Sequence, residues 1–348
     1  MSDPKQTDNR AWDRLFEFID NREDDLTDAE IHDDLNRFGI DMTEANEALL
    51  KMVADHRTTQ SARVNESERT VQREWAKNFP VKAMKKLQFS LPTGLADADA
   101  LLEFFDVASP NAWQSNWQSA AVSYRQTTRF KTNEQAISAW VREVEIIASG
   151  IDLAEFDEFK LRAAIEELRK LTRLPADQIL DPIQTICATC GVAVVLVPTL
   201  PQTCISGCAR WLSDNHALIG LTLRYKTDDQ LWFTFFHEVG HLLLHRHVRS
   251  FVVDNAATDL SDGCIDPEME QYELEANSFA ANTLIPPAEL EIFKQRQVFT
   301  NESIHEFADR IGVGPGIVVG RLQHDGLLKH FQGRALKQTL NWNFVDEV

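Results

Sequence analysis

Residues 231–245 read LWFTFFHEVGHLLLH, and the fold and chemistry of the chain are read outward from them. The apolar run predicts a buried helix carrying His237-Glu238-Val239-Gly240-His241, an HExxH pattern. On a helix the two histidines share one face, roughly 6 Å apart along the axis, so both imidazoles can reach one metal ion. Glu238, beside the first of them, can orient and deprotonate a water at that site. Gly240 is expected to leave room beside the metal. The competing reading is a pair of surface histidines on an otherwise buried helix. The apolar surroundings and a second carboxylate-bearing helix downstream favour the metal site.

A catalytic zinc takes three protein ligands and keeps a fourth position open. The stretch from Glu268 to Leu284, EMEQYELEANSFAANTL, reads as a helix that can supply the third. Glu273 and Asn277 stand at i and i+4, with Ala280 and Leu284 extending their stripe. Glu273 is therefore expected as the third ligand, and Asn277 as the acceptor that satisfies the free N–H of a ligating histidine. Glu275 lies roughly 200° around the helix from Glu273 and is expected to face elsewhere. The alternative is a solvated acidic helix start, with Glu268, Glu270, Glu273 and Glu275 favoured by the dipole.

Two other histidines compete. His247 stands where an elongated HExxHxxGxxH motif would place a ligand, but that motif needs a glycine where this chain has Leu244. An unbroken helix would carry His247 roughly 15 Å along the axis and out of reach. His245, one turn beyond His241, has two readings: a donor to a developing oxyanion at the pocket rim, or a histidine favoured by the helix C-terminal dipole.

The 348 residues suffice for two or three domains, and the formal net charge of −19 argues against a general nucleic-acid surface. The polar, acidic start lacks a signal-peptide pattern, and no apolar run approaches the roughly 20 residues of a membrane span. A cytoplasmic protein without membrane contacts is expected. Five cysteines fit a reducing compartment better than a disulfide framework. Cys187, Cys190, Cys204 and Cys208 could form a second, four-thiolate metal site. Their apolar helical and alternating strand contexts favour buried free thiols instead.

Residues 1–72 read as an acidic, helical N-terminal region, with helical patterns at Ala11–Phe18, Asp28–Phe38 and Thr43–Ala54. Residues 57–72 carry no apolar stripe and read as a linker or a solvated helix. Residues 73–150 read as a helical linking domain, closing on a helix from Asn133 to Ala148. Its buried face is expected to hold Ile137, Trp140, Val141, Val144 and Ile147. Residues 151–290 read as the metal-bearing core: helices at Asp157–Thr172 and Asp181–Cys190, then strands at Val192–Val197, Gly207–Leu212 and Ala217–Leu223. A polar turn at Arg224–Asp229 leads into the HExxH helix, and residues 248–267 read as an acidic loop. The fold class is α+β, mostly helical, with a small β-sheet packed on the HExxH helix. An edge of that sheet could pair with an extended peptide.

The segments FTFFHEVGHLLLH (233–245), ELEANSFAANTLIPP (273–287) and IGVGPGIVVGRLQHDG (311–326) resemble the ImmA/IrrE family of bacterial metallopeptidases. Upstream, REWAKNFPVKAMKKL and LLEFFDVASPNAW resemble the region preceding the peptidase in members with an XRE-type helix-turn-helix. The resemblance covers residue 73 to the C-terminus. It implies a gluzincin-like fold, one zinc per chain held by His237, His241 and Glu273, and Glu238 as the base. It also implies a protein substrate, a repressor whose cleavage switches on stress genes or mobile elements. Some members are coded beside toxin–antitoxin modules, which makes such a component a possible neighbour and partner. The departure lies at the start: Asp24, Asp25, Asp28, Asp33 and Asp34 crowd residues 1–72, which show no XRE pattern. Direct DNA binding is not expected from this region.

Residues 291–348 hold a helix–turn–helix pattern, Ile304–Ile311, Gly312–Gly316 and Ile317–Leu322, with Pro315 placed to start the second helix. Arg310, Arg321 and Lys329 supply few phosphate contacts, so this segment is expected to pack as a wall of the catalytic groove. Two functions are open at this point: a zinc endopeptidase acting on a regulatory protein, or a non-proteolytic regulator with a structural zinc. The unused base, Glu238, and the open ligand position favour the peptidase.

Overall fold

Strand residues that alternate between two apolar faces put the centre of this molecule on a sheet. Val192, Val194, Ala209, Ala217, Ile219 and Leu221 point into one core, while Ala193, Val195, Cys208 and Leu218 point into another. This is the two-residue period of pleated strands buried on both sides. The computed structural model describes residues 66–125, 133–248, 250–253 and 267–341. The chain divides into two compact units, Met1–Thr70 and Val71–Val348. The helical patterns expected before residue 55 lie outside the described residues. Helix α1 (Glu66–Ala76) shows that the end of the polar 57–72 stretch is helical.

Helices α2 (Val81–Lys86), α3 (Asp97–Phe104), α4 (Pro110–Arg125) and α5 (Glu134–Ser149) follow. Phe79, Phe105 and Trp113 pack edge to face among them, with ring centroids 5.2–6.1 Å apart. Asn133 caps α5 by accepting from the Ala136 N–H. On α5, Ile137, Trp140, Val141 and Val144 are buried as expected, but Ile147 is 41% exposed. Ala148, 100° further round, completes the buried stripe instead.

Helix α6 (Glu158–Lys170) is capped by Asp157, and α7 (Leu180–Thr189) leads through Gly191 into the sheet. The strands are β1 (Val192–Leu196), β2 (Gly207–Trp211) and β3 (Ala217–Leu221). A fourth, β4 (Ser250–Val253), occupies part of the segment read as an acidic loop, whose residues 254–266 lie outside the described residues. Four residues are too short for alternation to announce a strand; pairing with β2 makes it one. The order is β1-β3-β2-β4, parallel between β1 and β3 and antiparallel elsewhere. The segments 73–150, 151–290 and 291–348 all fall within the second unit; 73–150 packs into one core, 291–348 into the other, and 151–290 into both.

Gly191 makes the turn from α7 into β1 possible. Its φ is +81°, and a Cβ there would stand 2.4 Å from the backbone of Phe156. Gly191→Ala combines left-handed strain with a backbone clash, and should destabilise the protein by roughly 2–4 kcal/mol in urea unfolding. A loss below about 1 kcal/mol would show that the 155–156 segment yields.

Helix α8 (Asp228–Leu244) lies under the sheet, and α9 (Pro267–Leu284) packs along it. The first two residues of α8, Asp228 and Asp229, were expected in a turn. Both are buried, where acids favour the helix N-terminus. Helices α10 (Pro287–Gln295), α11 (Asn301–Ile311) and α12 (Pro315–His324) finish the unit. The turn between α11 and α12 uses left-handed Gly312 and Pro315 at the start of α12. Gly316 and Gly320 of α12 seat against the carboxylates of Asp228 and Asp229. These two glycines meet the start of α8, about 13 Å along the axis from His237. The α12 face that carries Ile317, Val318, Val319 and Leu322 is buried.

The four cysteines considered for a second metal site do not converge. Cys187 and Cys190 belong to the core on one face of the sheet and Cys208 to the core on the other. All four are free thiols, and burial pushes the Cys187 and Cys208 thiols well above their ordinary range.

Candidate metal centre

Helix α8 is so apolar that its HExxH residues sink into the protein: His237, Glu238 and His241 are at most 1% exposed. Helix α9 crosses closely because Gly240 faces it. A Cβ at Gly240 would stand 3.1 Å from Phe279 Cδ1 and 3.3 Å from Ala276 Cα. Gly240 therefore makes room for a neighbouring helix, not for a metal. That crossing brings Glu273 over both histidines. Its Oε2 is 3.3 Å from His237 Nε2 and its Oε1 is 3.4 Å from His241 Nε2, while the two Nε2 atoms are 2.9 Å apart.

These three residues form the only group among the described residues whose ligand atoms converge in this way. Ligands about 2.0–2.2 Å from a tetrahedral centre stand roughly 3.3–3.6 Å from one another, which the carboxylate distances match. Two neutral imidazole lone pairs facing at 2.9 Å repel unless a proton or a cation lies between them. The donor set, two imidazoles and one carboxylate, suits a divalent transition metal.

The partners behind the cluster differ for the two histidines. His237 Nδ1 lies 3.0 Å from Asn277 Oδ1, the contact expected from the i, i+4 spacing on α9. His241 Nδ1 lies 3.2 Å from His245 Nδ1, and His245 Nε2 lies 2.9 Å from Glu275 Oε2. His245 stands at the C-cap of α8, the helix end of its second reading. His245 is not a rim donor, because it is 1% exposed and both its ring nitrogens are engaged. Nor does Glu275 face away from the site. Ala276 sits at the crossing, so Glu273 and Asn277 flank it on one side and Glu275 on the other, and both flanks meet α8. His247 stands outside the cluster, bonded to the Tyr272 hydroxyl at 2.8 Å; α8 has already ended at Leu244.

Glu238 is the remaining piece. Its carboxylate is fully buried, and among the described residues neither oxygen has a hydrogen-bond partner. Strand β2 passes so near that a Cβ at Gly207 would stand 2.8 Å from Glu238 Oε1. Burial pushes the Glu238 carboxyl well above its ordinary range, and the Glu273 carboxylate adds to this. Burial also acts to raise Glu273, but hydrogen bonds from His237 and His241 outweigh it and hold that carboxyl well below the usual range. Burial lowers His241 to about 4, so its ring is neutral, the form that can ligate a metal. Two buried carboxyls pushed in opposite directions are the pattern of an acid–base residue beside a charge-bearing ligand.

An α+β fold with an HExxH helix and a carboxylate helix across it defines a metallopeptidase-like protein. Residues 213–323 match the family model described as Peptidase_M78, IrrE N-terminal-like domain, in line with the resemblance to the ImmA/IrrE family. The match takes in β3, α8, β4, α9, α10, α11 and all but the last residue of α12, and the model it fits is that of a peptidase family. No curated protein matches the chain. Among the described residues, no helix is long and apolar enough to cross a membrane.

Proposed function

We propose that the protein is a zinc-dependent endopeptidase of gluzincin-like build, acting in the cytoplasm on a transcriptional repressor or antitoxin-like regulator in a stress or mobile-element response. The observation that carries the catalytic part is Glu238: a fully buried carboxylate without a hydrogen-bond partner among the described residues, one position from a three-ligand cluster. A purely structural metal site would have no use for such a group, whose desolvation is costly. The substrate class rests on the family resemblance.

His237, His241 and Glu273 would hold the zinc, which when bound supplies Lewis acidity to polarise the scissile carbonyl and activate water. Asn277 accepts from His237 Nδ1–H, which keeps Nε2 free as the ligating atom. Glu238 takes the proton of the attacking water on a carboxylate oxygen and later delivers it to the departing amine. Gly207 keeps β2 from crowding that carboxylate. A pull-down with Glu238→Gln, using a repressor of the proposed substrate class, tests the reading. The variant should retain that repressor uncut, whereas wild type should release fragments. Failure of both proteins to engage it would remove the proposed substrate class.

A further inference from the structure

We propose that His245 and Glu275 form a positioning pair that fixes the ring tautomer of His241 and thereby sets the affinity of the metal site. The inference rests on the metal-site reading above and deepens it. His241 presents Nε2 to the cluster and Nδ1 to His245 Nδ1, 3.2 Å away. Two ring nitrogens at that distance need one N–H donor and one acceptor.

With both rings neutral, two arrangements satisfy this. In the first, His241 carries its proton on Nδ1, donates it to His245 Nδ1 and leaves Nε2 free for a metal. His245 then has its proton on Nε2 and donates it to Glu275 Oε2 at 2.9 Å. In the second, His245 Nδ1–H donates to His241, whose proton moves to Nε2 and blocks the cluster. A neutral His245 would then turn a bare Nε2 lone pair on the Glu275 carboxylate, which repels it. Glu275 therefore selects the arrangement that ligates.

The pair is built to hold still. The His245 N–H bonds to the His241 carbonyl at 3.0 Å, closing the end of α8 and setting its ring behind His241. The Tyr272 ring lies over it at a 4.4 Å centroid distance. Gln271 Nε2 donates to Glu275 Oε1 and steadies the carboxylate. His237, by contrast, has only the neutral Asn277 amide behind it. The two ligands thus have unequal support, with the stronger acceptor chain behind His241.

The test measures zinc affinity of the full chain by competition with a chelator, beside the melting temperature of the zinc-free protein. His245→Leu removes the acceptor and should weaken zinc binding by roughly 10–100-fold. His245→Gln can accept from His241 and donate to Glu275, and should restore most of that loss, which a filler of space would not do. Glu275→Leu changes a half-exposed side chain, so folding is retained, and it too should weaken zinc. Zinc affinity within about twofold of wild type in His245→Leu or in Glu275→Leu would overturn the pair. Absence of zinc binding in wild type would instead overturn the metal site itself.

Discussion

His237→Ala, His241→Ala and Glu273→Gln should each lower zinc affinity by more than the ~10²-fold that outer hydrogen-bond partners contribute. The reason is geometric. Three ligand atoms converge from two helices, and all lie within 4.8 Å of one another, so removing one leaves a bidentate site open to water. The histidine variants also leave a buried cavity and should lose some stability. Glu273→Gln keeps the volume and isolates the effect of charge. Glu275→Gln serves as the contrast: its amide oxygen can still accept from His245, so affinity should stay within several-fold of wild type. Metal analysis of the purified variants checks the order. If Glu273→Gln keeps full zinc while Glu275→Gln loses it, the ligand assignment is wrong.

Glu238→Gln should cut turnover by the ~10²–10⁴-fold of general acid–base catalysis while leaving zinc content unchanged. The substitution keeps the shape of the side chain and removes its ability to exchange a proton. It also removes a buried ionisable group with no partner among the described residues, so the melting temperature should hold or rise. A fall in both zinc and stability would mean that Glu238 supports the fold and not the reaction.

The parts of the site legible in the sequence are those governed by a single helix. The i, i+4 spacing of His237 and His241, and of Glu273 and Asn277, needs only helical geometry, and the structure brings all four together. What escaped notice depends on how two helices cross. Gly240 and Ala276 meet at the crossing, which turns both flanks of α9 toward α8 and lets Glu275 reach His245. A small residue on each of two adjacent helices was the available signal. Strand β4 escaped for a different reason, since its four residues become a strand through pairing with β2. The seat of α12 was equally unreadable: Gly316 and Gly320 fit against Asp228 and Asp229 across 88 and 91 residues of sequence.

A cleavage assay read by intact mass tests the proposed zinc-dependent hydrolysis most directly. The zinc-loaded chain is incubated with a repressor of the proposed substrate class, alongside zinc-stripped wild type and zinc-loaded Glu238→Gln. The expected result is two fragments whose masses sum to the repressor plus one water, formed by zinc-loaded wild type and restored to the stripped protein by added zinc. The same fragments produced at an undiminished rate by the zinc-stripped chain or by Glu238→Gln would contradict it.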